Sequence, residues 1–278
     1  MFEYFEKILL FLEGTMETPK TFGWFHIMWI ILTLLSIILL YNKKHKYSDK
    51  KLKIILFTYG IIALILELLK QLIWSFNYDP ITNIVTWDYQ WYAFPFQLCT
   101  TPIYVSLICS FMKDNKIRKS LLSYIAFVTI LGSIATVIMP DSCFTEDILV
   151  NIHTMWLHCG SLVVSVYLLI SKEVETNITN IKYSTCVFLF FVGLSLLSNI
   201  VVYNTGILGT ETFNMFYISP YFESTLPVFN IIYQNVPYLV FLIIYIWAII
   251  IGSLIIFGIA KLINNNCNRR FIKYLEKK

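Results

Sequence analysis

Charge is what this sequence has least of. Only 14% of its 278 residues are charged, against about 25% in soluble domains. That is too little to coat a water-facing surface of this size, and the mean hydropathy of +0.69 agrees. The soluble one- or two-domain readings that length alone allows are therefore excluded. The same composition excludes disorder, collagen and a disulfide scaffold. Cysteine is sparse and unpatterned: Cys99, Cys109, Cys143, Cys159, Cys186 and Cys267 contain no CxxC and no zinc-ligand spacing. There is no internal repeat and no low-complexity tract. The first residues carry acids (Glu3, Glu6) rather than the positive start of a signal peptide. What is present is a chain that is 58% hydrophobic, and it reads as a polytopic membrane protein.

A spanning helix needs about 20 mostly apolar residues. Seven runs meet that need, at 23–41, 54–76, 93–112, 121–139, 148–170, 184–203 and 237–260. They are continuous rather than alternating, so they predict helices and not barrel strands. The expected fold class is all-α, a seven-helix membrane bundle. Basic residues set its orientation. Segments 42–53, 113–120, 171–183 and 261–278 hold 6, 4, 2 and 6 Lys or Arg residues, which is 18 of the 21. Loops 77–92, 140–147 and 204–236 hold none, and with the N-terminal segment they carry 11 of the 17 acids. The expectation is a multi-pass protein of the cell membrane, N-terminus outside and C-terminus cytoplasmic. Residues 1–20 are expected to contain an amphipathic helix on the outer face, with Met1, Phe5, Ile8 and Leu12 at helical spacing. Residues 21–260 form the transmembrane domain, and 261–278 a basic tail. Membrane lipids are the expected partners. Nucleic acid is a poor reading, because the basic residues lie in short juxtamembrane stretches. Of the cysteines, Cys143 alone falls in an outer loop, so no loop-to-loop disulfide is available there. No cofactor or metal is implied.

Polar side chains inside a bilayer are costly and mark function by default. Here they are His26, Glu67, Lys70, Gln71, Gln97, Cys99, His153, His158 and Asn199. All fall in the outer half of their helices or, for His158, near the middle. That depth bias predicts one polar cavity opening outward. The alternative is helix-to-helix hydrogen bonding without a site. Glu67, Lys70 and Gln71 share one helical face. They read either as a self-neutralising ion pair or as a grip on a ligand. Likewise His26 and His153 read either as packing or solvated residues or as contacts. Cys99 alone reads as a small buried hydrophobe. With His158 at similar depth it reads as a nucleophile and base, because a thiol needs a base to react. The long, aromatic 204–235 segment, with Asn214 in it, is expected to pack over the cavity mouth.

Several short motifs carry a resemblance. They are FGWFH at 22–26, FPFQLC at 94–99, His158 followed closely by Gly160, GTETFNMFYISP at 209–220 and NVPY at 235–238. Together they resemble the YwaF-like bacterial integral membrane proteins, a family related to animal transmembrane protein 164. Two departures stand out: Gln97 where many relatives carry His, and Met215 rather than Tyr after Asn214. The animal relative is regarded as a cysteine-dependent phospholipid acyltransferase. The resemblance therefore implies acyl transfer at Cys99 with His158 as base. On that enzymatic reading, Gln97 or Asn199 is expected to donate to the oxyanion, and Glu67 or His26 to orient groups. The rival reading is a small-molecule or lipid binding or transport protein, with Glu67 and Lys70 as ligand contacts.

Overall fold

The computed structural model describes residues 2–42 and 48–275, with side chains placed for 4–41 and 48–264. The basic side chains of Lys43, Lys44 and Lys46, and those of the tail from Arg269 onward, lie outside the described residues. So does Met1 of the N-terminal helix.

The chain is a helical membrane bundle. Its elements are α1 (Phe2–Leu12), α2 (Trp24–Asn42), α3 (Asp49–Ser75), a hairpin of β1 (Phe76–Asp79) and β2 (Ile84–Trp87), α4 (Thr101–Phe111), α5 (Lys116–Tyr124), α6 (Ile130–Ile138), α7 (Ile148–Ile170), α8 (Ile178–Asn204), α9 (Pro227–Asn235) and α10 (Tyr238–Leu275). A π-helical turn, Ile125–Thr129, joins α5 to α6 into one span. Its loosened ladder is repaired by side chains. The carbonyl of Ile125 accepts from the Thr129 hydroxyl at 3.0 Å and from the Ser165 hydroxyl at 2.9 Å. Six helices among the described residues are long and apolar enough to cross a membrane. α7 is central and packs against α2, α3, α6 and the π turn.

The third expected span differs from its reading. The apolar run at 93–112 is helical only over Thr101–Phe111, which covers about 16 Å at 1.5 Å per residue. Pro95 and Pro102 lack N–H donors, and proline pushes the residue before it toward extended geometry. Thr100 then exchanges hydrogen bonds with the backbone of Gln97, at 2.8 and 3.0 Å. Residues 94–100 thus approach α4 as irregular chain. Such backbone is tolerated at membrane depth only where protein covers it. Here α3 covers it on one side and residues 213–220 on the other.

At the acidic end the loops tie together. The N–H of Met16 donates to the carbonyl of Glu146 at 2.8 Å, and that of Ile148, opening α7, donates to Gly14 at 3.0 Å. Leu9 of α1 is buried and Phe5 stacks on Trp87 of the hairpin. Thr21 hydrogen-bonds to the Asp141 carboxylate.

Candidate functional site

Three polar side chains from three elements lie near one another inside the bundle, Cys99, Tyr217 and Tyr245. Cys99 stands on the irregular approach to α4. It is half-buried and packs against the main hydrophobic core. Tyr59 of α3, Tyr124 of α5, Tyr217 and Tyr245 all lie within electrostatic reach of its thiol. Tyr59 and Tyr124 are committed elsewhere: Tyr59 donates to the carbonyl of Leu157 at 3.2 Å, and Tyr124 pairs with Thr101 at 2.7 Å. Gly160 makes room for Tyr59, since a Cβ there would meet its ring at 2.8 Å. Among the described residues no hydrogen bond engages the thiol of Cys99, the buried imidazole of His158 or the hydroxyls of Tyr217 and Tyr245.

Tyr217 is held in place by strain and amides. Phe216 and Tyr217 both have φ of 58°, a region that bulky residues seldom enter. Strain of this kind persists where the surroundings impose it. Gln97 accepts from the N–H of Phe216 at 2.7 Å and donates to the carbonyl of Asn214 at 3.0 Å. Asn199 accepts from the N–H of Met215 at 2.8 Å and donates back to its carbonyl at 3.1 Å. Asn214 accepts from Ser219 at 2.8 Å and donates to the carbonyl of Glu223 at 2.9 Å. Each amide thus spends its oxygen and one of its two N–H donors on the turn. Both side chains position the 214–219 turn. This turn sits beside the middle of the last two turns of α8, so the 204–235 segment dips into the bundle.

A second layer lies toward the acidic end. Glu67 is fully buried. Its Oε1 receives Lys70 Nζ at 2.7 Å and Gln71 Nε2 at 2.8 Å. His153 Nε2 lies 2.8 Å from its Oε2, off the ring N–H axis, so this is a close charge contact rather than an aligned hydrogen bond. Gln71 also donates to the carbonyl of Ala93 at 2.6 Å. Lys70 covers the ring of Trp74 at 5.4 Å, and Trp74 donates to Asp147 at 3.3 Å. His158 follows His153 by five residues on α7, about 7.5 Å deeper.

His26 stands apart. The N–H of Phe22 donates to its Nδ1 at 3.0 Å, so Nε2 carries the proton and donates to the carbonyl of Val137 at 2.9 Å. Both nitrogens fasten the start of α2 to the end of α6. No imidazole nitrogen remains for a ligand.

A scan of family models matches residues 21–257 to the TMEM164 family. The chain belongs to the TMEM164 family. Neither curated proteins nor solved structures give a match. The TMEM164 match spans the first five long helices, most of the sixth span and both polar layers. Among the described residues no three His, Cys, Asp or Glu side chains gather as a metal site. Sequence reading missed Tyr217 and Tyr245. Tyr245 carried a signal, a lone hydroxyl in the apolar run LVFLIIYIWAII. Tyr217 carried none, because it sits in a stretch where aromatics are common and only the folded turn singles it out.

Proposed function

We propose that this TMEM164-family protein transfers acyl chains between membrane lipids through Cys99. The observation that supports the reading is the Cys99 thiol inside the bundle with the hydroxyls of Tyr217 and Tyr245 nearby, none of the three engaged in a hydrogen bond among the described residues. His158 takes the thiol proton, and the thiolate attacks an ester carbonyl carbon of a phospholipid. The hydroxyls of Tyr217 and Tyr245 donate hydrogen bonds to the resulting oxyanion, while Gln97 and Asn199 hold the turn that carries Tyr217. The intermediate collapses to a thioester. The lysolipid alkoxide leaves with the proton held by His158. An acceptor hydroxyl then gives its proton to His158 and attacks the thioester, which returns the thiol. Lys70 has one carboxylate partner and two further donors, and it faces the phosphate of the bound lipid. Glu67, Gln71 and His153 fix the position of Lys70. Asn214, with Gln97 and Asn199, shapes the turn. His26 serves the fold alone. The N-terminus lies outside and the basic end in the cytoplasm of a cell membrane. Residues 1–20 and 261–278 flank the catalytic 21–260 unit.

Intact mass of the purified protein in lipid with a traceable acyl chain tests this. Wild type is expected to gain an acyl mass that hydroxylamine removes. Cys99→Ser is expected to gain none, and Tyr217→Phe to gain it about 100-fold more slowly, the usual effect of losing one oxyanion donor. An unmodified wild type whose thiol is also inert to reagents overturns the reading. The second reading, lipid binding without catalysis, is favoured by one observation: no hydrogen bond joins Cys99 to His158. In that case lipid binds wild type and Cys99→Ser equally, with no adduct in either.

A further inference from the structure

At the opposite, basic end of the bundle a groove of about 380 Å³ separates the first turns of α3 from the end of α4. Asp49, Lys50 and Lys53 line its rim, and Ile54, Phe57 and Phe111 its floor. The floor is open: Phe111 is 74% exposed, and its ring meets Phe57 edge-on at 5.7 Å. Charge and apolarity are thus ordered along the axis of α3. The cations stand in its first turn, and the rings lie one to two turns further in.

The rim carries surplus positive charge. Asp49 is shared by Arg118 at 2.5 Å and Lys53 at 3.2 Å. Arg118 is buried, donates its Nε to the carbonyl of Cys109 at 3.1 Å, and keeps Nη2 without a partner. Lys50 has no partner among the described residues. Three cations therefore face one carboxylate at the rim. Glu173 also lies near Arg118, and burial pushes its carboxyl pKa above the usual range. The free N–H groups that open α3 add to the positive end. A lone surface charge patch would hold any anion. An aromatic floor set deeper along the same axis selects an anion that carries hydrocarbon.

We infer that this groove is a binding site for one anionic phospholipid, its phosphate on Lys50 and Lys53 and its first acyl carbons on Phe57 and Phe111. The site is separate from Cys99 and does not depend on acyl transfer. The test uses the full chain in phosphatidylcholine nanodiscs, with phosphatidylglycerol titrated in and retained lipid read by native mass spectrometry. Wild type is expected to retain phosphatidylglycerol in preference to phosphatidylcholine. The double variant Lys50→Gln/Lys53→Gln is expected to lose about thirtyfold of that preference, which corresponds to about 1 kcal/mol for each lysine near anionic lipid. Lys113→Gln/Lys116→Gln, a basic pair outside the groove, is expected to keep it, and so to show that charge at this end alone is not enough. Equal loss in both double variants means a diffuse basic surface and overturns the site. So does competition by glycerol phosphate as effective as by the lipid, which means a free-anion site. No preference in wild type overturns it outright.

Discussion

Glu67 shows what a carboxylate needs at this depth. A buried charge survives when its partners surround it, and here three groups do so from two helices. The i, i+3 spacing to Lys70 and the i, i+4 spacing to Gln71 were legible in the sequence, because one helix face dictates them. The contact with His153 was not, since it depends on the register of α3 against α7. The same limit applies to Cys99 and His158. Residue type and depth singled them out, but nothing in the linear order says which tyrosines stand near the thiol. Breaking the cluster from one side leaves uncompensated charge. Lys70→Met alone is therefore expected to destabilise the protein by about 3–5 kcal/mol. Adding Glu67→Gln removes the stranded carboxylate and is expected to restore most of that loss. Thermal unfolding in detergent reads both. A double variant no more stable than the single one refutes the account of the cluster as mutual neutralisation.

Elements were legible where hydropathy and hydrogen bonding agree. The runs at 148–170 and 237–260 are apolar and free of internal proline, and both formed helices. The run at 93–112 is as apolar, yet its first part is irregular. Hydropathy counts side chains and is blind to the donors that Pro95 and Pro102 lack. The gap in that helix is filled by the 213–220 chain, which Gln97 and Asn199 hold by its backbone. This pairing makes the two irregular segments one unit. Asn199→Leu removes both bonds to Met215 and buries an unpaired N–H and C=O, each worth about 1–3 kcal/mol. The loss is expected to fall on the turn and not on the bundle. Limited proteolysis is expected to cut within 205–226 in the variant and not in wild type, with helix content by circular dichroism unchanged. A variant cut evenly along the chain shows instead that the turn and the bundle unfold together.

The whole molecule segregates its loops by charge. Trp91 and Ala93 lie at the acidic end, where Trp91 donates to Glu211 at 2.6 Å and Ala93 accepts from Gln71. Arg118 and Lys116 lie at the other end, beside Asp49 and Tyr183. The chain must pass from one end to the other between Ala93 and Lys116. α4 alone is too short for that passage through a hydrocarbon core of about 30 Å. The irregular 94–100 segment supplies the remainder, covered by protein rather than lipid. Seven passages are then expected, with the hairpin and the basic loops on opposite faces. Membrane-impermeant maleimide on intact cells tests this, because residues 82 and 113 flank the disputed passage. Thr82→Cys is expected to label from outside, and Lys113→Cys only after the membrane is opened. Labelling of both from one face means that α4 turns back within the bilayer. The α4 helix is then a re-entrant segment, and every basic loop after it changes sides, against the charge bias that orients the chain.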